Sequence, residues 1–135
     1  MINEVRLLKA LADENRLRLL LLLQERELFV CQLMAVTGLS QSLISRSLSL
    51  LERQGLVDSR RQGKHVFYRL HHALPPLGRA VVADVAGQRR KLEPIATDRK
   101  NLELFCRRFH GGQACDMSIV KKFIAFKNKK QFQGA

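Results

Sequence analysis

The sequence predicts a mostly helical chain interrupted once by a β-hairpin. Three observations carry that expectation. Apolar residues recur at helical spacing from the first residues onward, beginning with Ile2, Val5, Leu8 and Leu11. Two short alternating stretches, Leu56-Val57-Asp58-Ser59-Arg60 and His65-Val66-Phe67-Tyr68-Arg69-Leu70, flank the Gly-containing loop Arg61-Gln62-Gly63-Lys64. Helical spacing resumes after Pro75-Pro76. With 135 residues, 46% of them hydrophobic, the chain suffices for one core.

Each element has a local cause. Residues 2–11 form a short amphipathic helix, with Glu4, Arg6 and Lys9 between the apolar positions. Asp13 caps a second helix over 14–24, because its carboxylate accepts backbone N–H bonds at a helix start. Six leucines make that helix apolar on most of its circumference, so it belongs in the interior. Glu27-Leu28-Phe29 is extended, and a compact helix follows over 30–36 with Val30, Leu33 and Met34 inward. Gly38 suits the left-handed turn after it. Ser40 caps a helix over 41–54, with Ile44, Leu48 and Leu51 on its inner face. Beyond the hairpin, Pro75 and Pro76 open a helix with the stripe Leu77, Val81, Val82 and Val85, which Pro94 ends near 92. Thr97 or Asp98 caps a helix through 108, carrying Leu102, Leu104, Phe105 and Cys106. Gly111-Gly112 breaks the chain, and Asp116 caps a last helix over 117–127 with Met117, Val120, Phe123 and Ile124 inward. The tail from Lys127 reads as a basic, poorly ordered end. Residues 1–92 thus form one unit, and 93–135 a helical extension with a basic tail.

Helix, Gly-containing turn, helix over 28–54 is the helix-turn-helix pattern, whose second helix enters the DNA major groove. Its outer face is Gln41, Ser42, Ser45, Arg46 and Ser49, hydrogen-bonding residues with no acid before Glu52. The hairpin then places Arg60, Arg61, Lys64 and His65 at its tip. A helix-turn-helix followed by a basic hairpin is a winged helix. Gln41 can bond adenine, and Arg46 guanine or a phosphate. Ser40, Ser42 and Ser45 suit phosphate or water-mediated contacts. Leu43 either touches a thymine methyl or packs beneath the wing. The hairpin cations either grip phosphates or form a solvated face.

Composition narrows the function. Lys and Arg number 24 against 12 acids, a net charge of +12, which points to nucleic acid or another anionic surface. Aromatic residues are 6% with no Trp, too few for a base-stacking platform on single strands. The longest apolar run, residues 19–23, is too short to span a membrane and has the wrong flanks for a signal peptide, so a cytoplasmic protein without a membrane partner is expected. No phosphate-binding loop, nucleophile elbow or His-Glu-x-x-His occurs, so no enzyme is expected. The charge and Lys121, Lys122, Lys127, Lys129 and Lys130 keep a non-specific architectural DNA-binding protein as an alternative.

Several blocks resemble the ArsR/SmtB family of bacterial repressors. They are Leu8-Lys9-Ala10-Leu11-Ala12-Asp13-Glu14-Asn15-Arg16-Leu17-Arg18-Leu19-Leu20, Glu27-Leu28-Phe29-Val30-Cys31-Gln32-Leu33 and Leu39-Ser40-Gln41-Ser42-Leu43-Ile44-Ser45-Arg46-Ser47-Leu48. Gly55-Leu56-Val57 and residues 61–70 resemble its wing, so the likeness covers about residues 5–92. It implies a homodimeric repressor on a palindromic double-stranded operator, released by an effector. Val5, Leu8, Val81, Val82 and Val85 present apolar surface beyond what one protomer's core needs, and are the expected dimer residues; the alternative is that they close onto the protomer itself.

The effector site departs from the family's pattern. Where the family has Cys-Val-Cys, this chain has Phe29-Val30-Cys31, and Phe29 cannot ligate. The family's Asp and His zinc site is also missing its histidines, since Asp84 is followed by no His through Lys91. Two more thiols, Cys106 and Cys115, lie near the end. With or without Cys31 they suggest a relocated site for arsenite or another soft metal ion as effector, with no cofactor otherwise required. Two other readings stay open. The thiols are unrelated, or Cys106 and Cys115 form a redox or persulfide switch, with Arg107 and Arg108 as cationic neighbours. His110, His71 and His72 read as loop or surface residues.

Overall fold

The computed structural model describes residues 2–88, 91–109 and 117–133. Its elements run α1 (Ile2–Leu11), α2 (Glu14–Glu25), β1 (Leu28–Phe29), α3 (Val30–Thr37), α4 (Gln41–Arg53), β2 (Val57–Gln62), β3 (His65–Leu70), α5 (Pro76–Gln88), α6 (Ile95–Phe109) and α7 (Met117–Gln133). The expected mostly α architecture with one β-hairpin is what forms.

Local signals set the boundaries. The Asp13 carboxylate accepts from the Arg16 backbone N–H at 3.0 Å and starts α2. Gly38, at φ 76°, closes α3 by donating its N–H to the Met34 carbonyl. Buried Gln32 folds back, its Oε1 accepting from Phe29 N–H at 3.1 Å, and so fastens β1 to α3. β1 pairs antiparallel with β3 and β3 with β2, giving the sheet order β1-β3-β2. The wing is thereby tied to the residues that precede the helix-turn-helix.

Leu19 to Leu23 of α2 are all buried and centre the core, which gathers Leu33, Val36, Ile44, Leu48, Leu51, Leu56 and Val57 around them. Burying a leucine stabilises the fold by about 1.5–3 kcal/mol, so this cluster is the main favourable contribution. The same cluster contains Leu102 and Phe105 of α6 and Val120 and Phe123 of α7. Phe105 meets Phe123 edge to face at 5.1 Å. The core therefore runs without a break across the boundary expected at residue 92.

Three expectations for the C-terminal part change. Helix α6 begins at Ile95, ahead of both caps proposed for it. Thr97 lies in the first turn, its backbone N–H and hydroxyl both donating to Glu93 Oε2. Asp98 shares a helical face with Asn101, Leu102 and Phe105, which the spacing i, i+3, i+4, i+7 turns inward, so it is buried. The basic end from Lys127 is helical through Gln133. Lys127 stays in it because its stem packs, with Nζ 5.6 Å from the Phe123 ring centre, and burial lowers its pKa from the ordinary lysine value. Asp116, His110 and Gly111-Gly112 lie outside the described residues.

Candidate nucleic-acid interface

Helix α4 is amphipathic in the sense a recognition helix needs. Ile44, Leu48 and Leu51 are fully buried, while Gln41, Ser42, Arg46, Ser49 and Arg53 are exposed and Ser45 is half-exposed. Ser40 Oγ accepts from Leu43 N–H at 3.2 Å and stands 3.4 Å from Ser42 Oγ. Its first role is thus the cap that orients the helix N-terminus. Arg46 Nε donates to the Ser42 carbonyl at 3.3 Å, which holds the exposed guanidinium along the helix. Leu43 is half-buried and lines a shallow groove with Arg16, Arg46, Leu50 and Arg53, not with any residue of the wing.

That groove adds two cations, Arg53 and Arg16, to those expected from the sequence. Arg53 ends α4, and Arg16 comes from α2. Arg16 is anchored, donating to the Lys9 carbonyl at 3.0 Å and to the Ala10 carbonyl while facing Asp13 at 3.7 Å. It caps the carbonyl end of α1, a role that its position in a leucine-rich helix does not announce.

The wing differs from the expected one in length and in which cations it offers. Strand register continues to Gln62 opposite His65, so the connection is Gly63 and Lys64 alone. Gly63 makes this tight turn feasible, because its φ of 61° is one that side chains with a Cβ rarely adopt. Arg60, expected at the tip, lies three residues down the strand opposite Phe67. Its guanidinium covers the Phe67 ring at 4.7 Å, pairs with Glu27 and donates to Gln62 Oε1 at 2.7 Å. His65, also expected at the tip, stacks on Phe29 with ring centres 4.7 Å apart. Strand alternation explains both, since Arg60, His65 and Phe67 share one face with Phe29, while Ser59 and Arg61 share the other. Ser59 Oγ donates to Glu52 Oε1 of α4 at 3.0 Å, so Arg61 is on the face turned toward that helix. Lys64 in the turn and Arg61, on β2 opposite Val66, are both exposed. Across the base, Arg69 bonds Asp58 at 3.2 Å and lowers the pKa of its carboxyl from the ordinary value, helped by the Ser59 N–H.

The dimer candidates divide. Val5 and Leu8 are 42% and 47% exposed, beside Ile2 at 69% on the same face of α1. Val81 and Val85 are half-buried. Val82 is 4% exposed in a single protomer and belongs to the core, a correction to its place in the expected interface. Gly78, one turn earlier, explains how closely α5 sits, since a Cβ there would lie 2.6 Å from Leu56 Cδ2.

Neither Cys31 nor Cys106 is in a disulfide, and both are half-buried. Cys115 lies outside the described residues. Among the described residues no three His, Cys, Asp or Glu side chains group as a metal site. The expected cationic neighbours of Cys106 turn away from it: Arg107 pairs with Glu103, and Arg108 lies 5.1 Å over Phe126. Arg26, from the end of α2, donates to Cys106 Sγ instead. His71 and His72 stack on each other at 4.6 Å in the loop after the wing.

Comparison with known proteins agrees with this geometry. Residues 13–59 match the family described as bacterial regulatory protein, arsR family. The chain is 50% identical over 72 residues to the arsenical resistance operon repressor of Escherichia coli, covering 53% of this chain and 62% of that protein. It is 47% identical over 64 residues to the transcriptional activator HlyU of Vibrio cholerae, covering 47% and 59%. The chain thus spans about six-tenths of the length of these two curated relatives. The structure of reduced HlyU from Vibrio cholerae aligns with TM-score 0.56 at 35% identity, over 69% of this chain and 90% of that one. The repressor BigR from Xylella fastidiosa aligns with TM-score 0.57 at 34% identity, over 68% and 90%. Helix-turn-helix, wing and these likenesses together place the chain in the ArsR/SmtB family of winged-helix transcriptional regulators.

Proposed function

We propose that the protein is a transcriptional repressor that binds palindromic double-stranded operator DNA as a homodimer and leaves it when a thiol-reactive effector binds. The observation that carries the DNA-binding part is α4, which buries one face completely and exposes a run of Gln, Ser and Arg, joined to the wing by Ser59 and Glu52. Arsenite is the first effector to test, followed by other soft metal ions, because Cys106 and Cys115, with or without Cys31, offer thiolates suited to them. The naming of the Escherichia coli relative for arsenical resistance supports that order.

A band-shift on the promoter of the protein's own operon tests the reading. Binding is expected to be far tighter than to a scrambled duplex at physiological salt; equal affinity for both would instead mark an architectural protein. The complex is then challenged with arsenite, antimonite, zinc, cadmium, copper(I), peroxide and persulfide. Cys106→Ser and Cys115→Ser are each expected to abolish release without weakening DNA binding, and full release of the double variant would overturn the thiol-released mechanism.

A further inference from the structure

A cleft between the end of α2 and α6 carries charge that neither the core nor the DNA face uses. Arg26, Lys91, Arg99 and Lys100 line it, against Glu25 and Glu103. Both acids are engaged, Glu25 with Arg99 at 3.1 Å and Glu103 with Arg107. The cleft therefore presents a positive rim. At its wall stands Cys106, with the Arg26 guanidinium donating to Sγ.

We propose that this cleft binds a small organic disulfide bearing carboxylates, and that Cys106 takes up half of it by thiol–disulfide exchange. The cationic rim holds the carboxylates. The Cys106 thiol releases its proton to solvent, and Sγ attacks the nearer sulfur of the disulfide. A new S–S bond forms as the old one breaks, and the departing thiolate leaves with the bonding pair and takes up a proton. No other oxidant is consumed. Negative charge spreads over the attacking and leaving sulfurs during exchange, and the guanidinium at Sγ is placed to stabilise it.

The same helix reaches the DNA-binding unit. Two turns or less before Cys106, Asn101 Nδ2 donates to the Val36 carbonyl at 3.1 Å. Asp98 holds Arg18 through two bonds, 2.7 Å to Nε and 2.9 Å to Nη2, and the same Nη2 donates to the Thr37 carbonyl at 3.1 Å. Val36 and Thr37 end α3, immediately before the turn into α4. A group attached to Cys106 wedges between α2 and α6 and loads this latch, which is how modification reaches α4. This step rests on the repressor reading given above; the chemistry at Cys106 does not.

The full chain is incubated with oxidised glutathione, which is anionic, or with cystamine, which is cationic, and the adduct is located by peptide mass spectrometry. Glutathione is expected on Cys106, forming about tenfold faster than the cystamine adduct at low salt, with the preference shrinking as salt rises. Lys91→Glu with Lys100→Glu should erase the preference while Cys106 stays modifiable by cystamine. Equal rates for the two reagents, or glutathione on Cys31 or Cys115 instead, would overturn the site. The modified protein is then titrated with operator DNA, with a loss of about tenfold or more in affinity expected. Clean modification with unchanged affinity would overturn the latch, whereas unmodified protein that never prefers operator would overturn the repressor reading and leave the Cys106 result standing.

Discussion

Arg46 is the residue at which reading a base and gripping a phosphate can be told apart. It is exposed on α4 and bonded back to the Ser42 carbonyl, so its reach is set by the helix and not by a floppy stem. Arg46→Ala should cost about 1–3 kcal/mol on operator DNA and much less on a scrambled duplex, measured by fluorescence anisotropy. Equal losses on both would make it a phosphate contact. The wing gives a sharper contrast. Lys64 stands at the two-residue tip, whereas Arg60 is committed to Glu27, Gln62 and the Phe67 ring. Lys64→Ala should therefore weaken binding on every sequence and lower the slope of log affinity against log salt by about 1. Arg60→Ala should leave that slope in place and instead lower the unfolding midpoint, because it removes packing from the strand. If the two variants changed the salt slope alike, Arg60 would have to be released from its strand face on DNA.

At the scale of elements, what the sequence made legible was whatever short-range chemistry controls. The helix over 2–11, the Asp13 and Ser40 caps and the inner face of α4 all follow from spacing and from single capping side chains. The wing's existence was legible in the same way, but its tip was not. Two more residues joined β2 because Gly63 permits a tighter turn than a four-residue loop, and that extension carried Arg60 away from the tip. Asp98, one of two caps that its position suggests, instead serves Arg18, which is 80 positions away and which no local pattern announces. This pair makes a prediction for α6. Asp98 is 4% and Arg18 13% exposed at the side chain, and the hydrogen bonds that Arg18 donates to the Asp98 carboxylate, more than the attraction of charge, raise the Arg18 pKa above its ordinary value against the effect of burial. Asp98→Ala leaves that guanidinium uncompensated, and should cost about 3 kcal/mol in urea unfolding. A cost near zero would mean that α6 is not seated on α2 and α3 as described.

On the scale of the whole molecule, α1 carries a stripe of apolar side chains that one protomer leaves uncovered. Ile2, Val5 and Leu8 remain 69%, 42% and 47% exposed, although a core lies one helix away and Leu7 and Leu11 of the same helix are buried in it. Such a stripe is unfavourable in water, and in the homodimer proposed above a second copy would cover it. Twofold pairing would set two α4 helices roughly 34 Å apart, one turn of duplex. Val5→Asp with Leu8→Asp should accordingly give a folded monomer in sedimentation experiments, since neither side chain is part of the core. Val82→Asp, a charge placed at a 4% exposed position, should instead unfold the chain. Dimerisation makes the second half-site contact intramolecular, so the double variant should lose about 10²-fold or more in affinity for a palindromic operator. Its affinity for a single half-site should stay as in the parent. A double variant that still sediments as a dimer would move the interface off α1, and one that is monomeric yet holds the full operator at parental affinity would separate DNA binding from pairing altogether.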